Sequence, residues 1–199
     1  MAATGKRVLK YVDGQMLEYT IYKLVDKYSK VLWKPTEKFN FDSPPTNPRT
    51  LAFSLLETMI KKGGVGLSAN QVGLPYRVFV MGGGEHWFAC FNPEIIEATG
   101  ENMDHYEGCL SYPGLFLTIK RASHVKLRYQ DYSGQVLEKE FDGFTARVIQ
   151  HEMDHLDGTS YIKRVPSIKL KQAQSKVKVN RKRAKEEMKA AKYSKKESG

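Results

Sequence analysis

The stretch QHEMDHLDG, residues 150–158, contains two histidines four positions apart, with a glutamate directly after the first. On a helix such histidines share a face, so His151 and His155 would present two imidazoles to one metal ion. A metal in that position lowers the pKa of a bound water towards about 7, and Glu152 can take its proton as the water attacks a carbonyl carbon. The stretch therefore predicts a hydrolytic metal site, although a solvated helix face can have the same spacing.

The residues around this motif favour a helix of about four turns between Gly143 and Gly158. Spacings of four, three and four place on one stripe Phe144, Val148, His151 and His155. A neighbouring stripe contains Ile149, Met153 and Leu156. The first stripe indicates a pocket wall and the second a core face, although a continuously buried helix would show the same apolar positions.

A tetrahedral catalytic metal site needs a third protein ligand and leaves one position open for water. Cys109, in EGCLS at residues 107–111, is the candidate, because the preceding glycine lets backbone and metal approach closely. A lone cysteine is more often a small buried hydrophobe. Cys90 fits that description, since it lies in the apolar, strand-like run WFACF at residues 87–91.

A glycine-rich segment, GGVGLSANQ at residues 63–71, offers a further group. It lacks the spacing of a phosphate-binding loop and could be a flexible turn after a helix. The amide of Gln71 is, however, a suitable neutral donor for the oxyanion formed at an amide under attack, a contact worth about a hundredfold in rate. The small residues would let a substrate backbone lie against this segment.

Three segments together resemble the signature motifs of peptide deformylases, in the order in which that family has them. They are GVGLSANQ at 64–71, EGCLS at 107–111 and QHEMDHLDG at 150–158. The resemblance extends from about residue 30 to about residue 163. It implies a metal-dependent hydrolase that removes the N-formyl group from the N-terminal formyl-methionine of newly synthesised polypeptides.

By position in these motifs, the resemblance implies the roles of the site residues. The metal ligands would be Cys109, His151 and His155, and Glu152 would be the general acid/base. The Gln71 side chain and the Leu110 backbone N–H would hold the oxyanion. The resemblance also implies one divalent ion per chain, natively Fe²⁺. Thiolate and imidazole ligands suit Zn²⁺, Ni²⁺ or Co²⁺ as well, so the sequence does not fix the metal.

The methionine side chain would occupy an apolar slot suited to a flexible thioether. Its walls would be Val65, Phe144, Val148 and the ring of His151, with Gly64 and Gly66 beside the substrate backbone.

Glu107 and Arg121 occupy positions that form a buried ion pair in similar deformylases; the alternative is two unrelated surface charges. Arg147 either reaches the substrate backbone or merely covers the helix.

The chain departs from many deformylases at YPGLF, residues 112–116, where they have an arginine that can touch the substrate peptide. Contacts to residues beyond methionine are therefore left open.

Positive charge is concentrated at the C-terminal end of the chain. Residues 163–199 contain 14 Lys or Arg and 3 Glu, whereas the preceding 162 residues contain 18 basic and 19 acidic residues. A rough helical spacing is kept by Leu170, Ala173, Val177, Ala184, Met188 and Ala191. We expect a basic helix that docks loosely or folds on a partner, the alternative being a solvated, partly disordered tail. Similar deformylases can bind the ribosome through such a helix, which implies ribosomal RNA as a partner.

The strands and helices expected along the chain predict an α+β fold, with antiparallel β-sheets packed around the central metal-binding helix and a basic C-terminal tail that can be helical. We divide the chain into an N-terminal extension (1–27) with a β-hairpin turned at residues 13–14, a catalytic domain (28–166) and the tail (167–199). A helix is expected from Pro48 to Gly63. Strands are expected at 77–81, 87–91, 95–98, 124–130 and 136–141.

Two cysteines in 199 residues leave no disulfide framework and indicate a reducing compartment. No apolar run approaches the length of a membrane helix, and the N-terminus lacks the apolar core of a secretory signal. We therefore expect a cytoplasmic, monomeric enzyme that has no membrane partner and acts on formyl-methionyl nascent peptides.

Two other classes of protein share part of this pattern. A zinc metallopeptidase would also have His151, Glu152 and His155, but Tyr161 stands where one such class has a third histidine. A thiolate third ligand also argues against a peptidase. A nucleic-acid-binding module would instead depend on the basic tail, and its metal site would be vestigial.

Overall fold

Seven strands and three longer helices make up the computed structural model, which describes residues 3–12, 14–84 and 86–197. The strands are β1 Gly5–Val12, β2 Gln15–Tyr22, β3 Gly66–Ser68, β4 Val78–Gly83, β5 His86–Glu107, β6 Leu117–Gln130 and β7 Val136–Asp142. The helices are α1 Pro48–Lys61, α2 Gly143–Leu156 and α3 Ser167–Glu197. Short 3₁₀ turns lie at Lys30–Trp33, Ala69–Val72 and Tyr161–Arg164. Antiparallel sheets of order β1-β2 and β3-β4-β5-β6-β7 confirm the α+β fold class.

The central helix α2 has both stripes predicted from its spacing. Ile149 and Leu156 are fully buried and belong to a core cluster formed with residues of β4, β5 and β6. Gly143 has a φ of 55°, a left-handed conformation that glycine adopts easily, so the chain turns from β7 directly into the helix. Packing of the stripe with Ile149 and Leu156 on the sheet therefore fixes which way the neighbouring stripe with His151 and His155 faces.

Helix α1 begins with the signals expected of its sequence. The Asn47 side chain accepts a hydrogen bond from the Thr50 backbone N–H, and Pro48 occupies the first helical position, where no N–H is needed. Leu51, Leu55 and Met59 are buried in the second core cluster, which α1 forms with the strands β3 and β4. The helix thereby fixes the start of the glycine-rich segment that follows it.

Two of the predicted strands, 87–91 and 95–98, are parts of one long strand. β5 runs continuously through both, with register shifts between Phe91 and Glu94 and at two later points. At the first shift Asn92 has a φ of 50°, and its side-chain amide donates to the Phe39 carbonyl oxygen. This bulge explains why the period-2 pattern is interrupted there. β3 was not predicted, because three residues are too few to show a period.

The N-terminal extension contains the predicted hairpin, β1 and β2, with Gly14 at its turn at a φ of 80°. Asp13, the other predicted turn residue, lies outside the described residues. The edge of β2 runs along α1, where the Thr20 N–H donates to Ser54 Oγ and the Tyr22 N–H donates to Thr58 Oγ1. The hairpin is thus attached to the helix through backbone groups.

Helix α3 has a docked part, residues 167–182, and a projecting part, residues 183–197. Leu170, Ala173 and Val177 pack on a cluster formed by Tyr112, Leu115, Leu117, Ile119 and Tyr161. Arg181 donates from Nη2 to the carbonyl oxygen of Pro113 at 2.7 Å, whereas Met188 is 67% exposed. Among the residues that the structure describes, no helix is both long and apolar enough to cross a membrane.

Candidate metal centre and substrate pocket

The three predicted metal ligands lie together. Helix α2 supplies His151 and His155, and Cys109 follows the end of β5, so that one sulfur and two imidazoles have ligand atoms within 4.8 Å of one another. The Cys109 Sγ and His155 Nε2 atoms are 3.2 Å apart, a separation compatible with both atoms binding one ion. The donor set is of the mixed thiolate and imidazole kind that suits Fe²⁺, Zn²⁺, Ni²⁺ and Co²⁺.

The electrostatic surroundings favour a thiolate at Cys109. Burial raises the pKa of this thiol, but the nearby imidazoles of His155 and His151 outweigh burial and lower the pKa to about 5. Cys90 shows the opposite behaviour, because burial raises the pKa of its thiol far above the ordinary value. Since thiolates rather than thiols bind metals, the structure distinguishes the two cysteines as the sequence did.

A buried carboxylate orients one of the two imidazoles. Glu107 Oε2 lies 3.0 Å from His151 Nδ1, which leaves Nε2 of that ring to face the cysteine. Burial raises the pKa of Glu107, but hydrogen bonds from Arg121 and His151 lower it to about 2. Hydrogen-bonded carboxylates of this kind commonly hold metal-binding histidines in place. The ligands and their support therefore fit a metal ion.

The predicted Glu107–Arg121 pair is present and is part of a larger network. Arg121 donates to both carboxylate oxygens of Glu107, at 2.6 and 2.9 Å. Arg147, whose role the sequence left open, is 7% exposed and donates to Glu107 Oε1 and to the Ile119 carbonyl oxygen, both at 2.8 Å. Its guanidinium therefore binds the support of the site rather than covering the surface of the helix.

A second carboxylate in the network was missed from the sequence. Asp154 Oδ2 lies 3.0 Å from Arg121 Nη2 and accepts from Arg164 Nε at 2.6 Å. Asp154 lies inside the histidine motif, but nothing in its spacing indicates that Arg164, ten residues later, would reach back to it. Tyr161, which stands at the position of a third histidine, instead donates its hydroxyl to the Leu115 carbonyl oxygen at 2.8 Å.

Glu152 is placed beside the ligands with one oxygen unsatisfied. It is 3% exposed, and its Oε2 has no hydrogen-bond partner among the described residues. Burial raises the pKa of Glu152, while the two imidazoles act in the opposite direction. Gly66 is in contact with this carboxylate, since a Cβ at that position would collide with Glu152 Oε1. Only a glycine leaves the carboxylate its space.

Gln71 presents its amide nitrogen to the cysteine. Its Oε1 accepts from the Ser68 backbone N–H at 3.0 Å, in the capping box of the 3₁₀ turn that begins at Ala69. Its Nε2 is thereby directed towards Ser111 Oγ at 3.1 Å and Cys109 Sγ at 3.5 Å. The turn that follows β3 thus fixes both ends of the amide.

A pocket of about 650 Å³ opens over these groups. All the residues predicted to bind substrate line it, namely Gly64, Val65, Gly66, Phe144 and Val148, and so does Leu110. Sequence reasoning assigned no substrate role to several further lining residues, among them Leu24, Lys62, Tyr106 and Phe116. Leu24 belongs to the segment predicted as an N-terminal extension, and no local pattern indicates that it would reach the pocket.

Known proteins of similar sequence and structure are peptide deformylases. The family model described as polypeptide deformylase matches residues 20–171. A peptide deformylase of Thermotoga neapolitana is 45% identical over 136 residues, which are 68% of this chain and 80% of that protein. One of Dictyoglomus thermophilum is 40% identical over 151 residues, which are 76% of this chain and 95% of that protein.

Solved structures agree with this assignment. A Synechococcus elongatus peptide deformylase in complex with actinonin has a TM-score of 0.72 and 33% identity, over 77% of this chain and 84% of its own. A class I type b peptide deformylase from Acinetobacter baumannii with Met-Ala-Ser bound has a TM-score of 0.68 and 30% identity, over 72% and 97%. The chain therefore belongs to the polypeptide deformylase family, enzymes that depend on a metal and remove the N-formyl group from nascent polypeptides.

Proposed function

We propose that this chain hydrolyses the formyl-methionine amide of nascent chains at the centre formed by Cys109, His151 and His155. The observation that carries the proposal is the convergence of these three groups within 4.8 Å, beside a pocket that is lined by Cys109, His151 and Glu152. The candidate metal ligands, a carboxylate oxygen without a hydrogen-bond partner among the described residues and room for a peptide are thereby brought to one place.

We propose Fe²⁺ as the native metal, with Zn²⁺, Ni²⁺ and Co²⁺ as substitutes, because one thiolate and two imidazoles suit all four. When bound, such an ion supplies Lewis acidity and lowers the pKa of a coordinated water towards about 7. The described residues would supply three ligand atoms to such an ion, and three protein ligands are typical of catalytic rather than structural sites.

Glu152 is the general acid and base in this proposal. Its Oε2 accepts a proton from the attacking water and later gives that proton to the methionine nitrogen as the C–N bond breaks, so that formate and a free amine leave. Burial supports this role, because it raises the pKa of Glu152 and makes the carboxylate a better proton acceptor. The absence of a side chain at Gly66 leaves the space that this carboxylate occupies.

Gln71 and Leu110 stabilise the negative charge that develops on the formyl oxygen. The Gln71 amide already lies 3.5 Å from the sulfur of Cys109, and its position is fixed through Ser68 and Ser111. Preorganised donors of this kind contribute about a hundredfold or more in rate. The Leu110 backbone N–H is the second donor, since it directly follows the cysteine.

The methionine side chain occupies the apolar part of the pocket between Val65, Phe144, Val148 and the His151 ring. These residues line the cavity together, and the bound Met-Ala-Ser of the similar Acinetobacter baumannii enzyme supports a methionine-first peptide as its occupant. Thioethers pack well in irregular apolar slots.

We further propose that the chain acts as a cytoplasmic monomer that meets its substrates at the ribosome. Residues 167–199 contain 12 Lys or Arg and 3 Glu, and ribosomal RNA is a polyanion that such a helix would bind with loss of counterions. In this proposal the chain consists of an extension (1–27), a catalytic domain (28–166) and a tail (167–199).

Release of formate from metal-loaded protein tests the proposed reaction. We expect turnover of formyl-Met-Ala-Ser and no cleavage of unformylated Met-Ala-Ser. Release of free methionine from the unformylated peptide would identify an aminopeptidase instead. Lack of formate from every formyl-methionyl peptide, with stoichiometric metal bound, would refute the proposal.

A further inference from the structure

Two neighbouring side chains in the 3₁₀ turn Ala69–Val72 reach two different candidate metal ligands. Gln71 Nε2 lies 3.5 Å from Cys109 Sγ. The Asn70 side chain instead contacts α2, where its Nδ2 donates to the backbone carbonyl oxygen of His155. A carbonyl oxygen can only accept, so the nitrogen and not the oxygen of the Asn70 amide faces it. The turn therefore contacts the segment after β5 through one residue and the end of α2 through the residue before it.

The carbonyl group that Asn70 bonds belongs to the last turn of α2. The last four carbonyl groups of a helix have no partners within the helix and need donors from elsewhere. The Gly158 N–H also donates to the His155 carbonyl oxygen, at 3.1 Å. The next carbonyl oxygen, that of Leu156, accepts from the backbone N–H and the hydroxyl of Thr36, at 2.8 and 2.9 Å. Side chains from two distant segments thus hold the end of the helix, one at a proposed metal ligand and one at the residue after it.

The two candidate histidine ligands are held in different ways. Glu107 orients the His151 ring through Nδ1, whereas Nδ1 of His155 has no hydrogen-bond partner among the described residues. His155 is 1% exposed, and its Nε2 lies 3.2 Å from Cys109 Sγ. The orientation of the His155 ring therefore depends on its own backbone and on packing. Because Asn70 bonds the backbone of this residue, it acts where the position of the ring is determined.

Asn70 occupies a position that an apolar side chain would suit better for stability alone. It is fully buried, and its Oδ1 has no hydrogen-bond partner in the part of the chain that the structure describes. Burial of an amide oxygen without a partner has a desolvation cost that a branched apolar side chain of the same shape avoids. Asn70 also lies outside the set of residues that line the pocket, so contact with a bound peptide does not explain it. The donor group of its amide is thus what distinguishes this residue.

We propose that Asn70 is a positioning residue for the reaction, because its amide holds the turn that carries Gln71 at a fixed separation from the end of α2 that carries His155. This inference rests on the proposed function, since Gln71 is the proposed oxyanion donor and His155 a proposed metal ligand. The formyl group has to lie within reach of both, and a misplacement of about 1 Å can cost about a hundredfold in rate. Binding of the peptide does not need this alignment, so loss of the Asn70 amide should lower kcat rather than raise KM.

Asn70→Leu removes the donor and keeps the branched shape of the side chain. In the metal-loaded enzyme acting on formyl-Met-Ala-Ser, we expect kcat per bound metal to fall about tenfold while KM stays within about twofold of the parent value. The urea midpoint of the metal-free protein should change little, because loss of the hydrogen bond is offset by loss of the unpartnered oxygen. Asn70→Asp, which places an oxygen opposite the His155 carbonyl oxygen, should lower kcat at least as much and should also lower the midpoint.

Thr36→Val is the matched control at the same helix end. It removes a side-chain hydrogen bond to the Leu156 carbonyl oxygen and keeps the shape, but Thr36 lies far in sequence from the turn that carries Gln71. We expect its kcat to stay within about twofold of the parent value. Visible absorption of the Co²⁺-loaded protein is a second readout that needs no turnover, since these bands depend on ligand geometry. They should shift in Asn70→Leu and coincide with those of the parent in Thr36→Val.

A kcat of Asn70→Leu within about twofold of the parent value would overturn the inference. An equal fall of kcat in Thr36→Val would overturn it as well, because capping of α2 would then explain the effect. A fall that disappears when rates are divided by bound metal would assign Asn70 to metal retention instead. If the parent releases no formate from this peptide, the proposed function itself is wrong. The Co²⁺ bands then decide separately, and bands that are unchanged in Asn70→Leu would exclude an action of Asn70 on His155.

Discussion

Glu107 Oε2 and His151 Nδ1 lie 3.0 Å apart. A carboxylate at the end of β5 thereby sets the orientation of an imidazole on α2. Arg121 and Arg147 both bond the same carboxylate. The position of His151, a proposed metal ligand, therefore depends on two guanidinium groups that are not themselves among the proposed ligands.

Arg147→Met should lower the affinity for the metal by about tenfold, because Glu107 loses one of its two cations and holds His151 less firmly. It should also destabilise the fold by about 3 kcal/mol, as expected when one partner of a buried charge pair is removed. Chelator titration and urea unfolding measure the two effects. Arg128→Met, which breaks the exposed pair with Glu138, is the matched control and should cost less than about 1 kcal/mol. Equal effects of the two substitutions would contradict the positioning role.

Cys109→Ala should lose bound metal and turnover together, because only two imidazoles would remain on the ion. Cys90→Ala should keep both, since its thiol is fully buried in the core. Metal content by mass spectrometry and formate release from the same preparations decide the matter. Stoichiometric metal with near-normal turnover in Cys109→Ala would exclude this cysteine as a ligand.

Glu152→Gln should retain its metal while turnover falls by at least about a hundredfold, because an amide of the same shape cannot take up the proton. The exposed Glu101→Gln is the control and should match the parent. Turnover of Glu152→Gln within a few-fold of the parent would show that another group transfers the proton.

Two truncations separate the docked and projecting parts of α3. Ending the chain after Lys182 keeps Leu170, Ala173, Val177 and the Arg181–Pro113 contact, so peptide hydrolysis and the melting temperature should be unchanged. Ending it after Pro166 uncovers the apolar cluster and should lower the melting temperature. Of the apolar residues in the first turn of α3, Leu170 packs on this cluster, whereas Ile168 is 66% exposed.

The same two truncated proteins test ribosome binding. The full chain should co-sediment with ribosomes at low salt and release steeply between about 50 and 200 mM salt, because the basic helix displaces counterions from RNA. The protein ending at Pro166 lacks 12 Lys or Arg and 3 Glu and should not co-sediment, whereas the protein ending at Lys182 keeps half of these basic residues and should bind at an intermediate level. Equal binding by the full chain and the protein ending at Pro166, or binding that does not respond to salt, would refute the role proposed for α3.

The sequence was most informative where structure is local. Helix α2 and its ligand pair follow from spacing alone, because one helical period fixes which side chains share a face. The partners of Arg147 could not be predicted in this way, since they require β5, β6 and α2 to meet. The position of Leu24 in the pocket and the docking of α3 beside the loop before Phe116 could not be predicted either. Each depends on contacts between segments that are distant in the chain.

The attachment of the hairpin to α1 determines which substitutions preserve the hydrogen bonds between them. Helix α1 accepts hydrogen bonds from the main-chain N–H groups of Thr20 and Tyr22 in β2. Every residue except proline has such an N–H group. Substitutions along β2 therefore leave these two bonds available, whereas loss of the hydroxyl at Ser54 or Thr58 removes one of them. The freedom to vary β2 therefore applies to these two bonds, whereas the buried Tyr19, whose ring lies 6.0 Å from that of Phe53 in α1, ties the strand to the helix by its side chain.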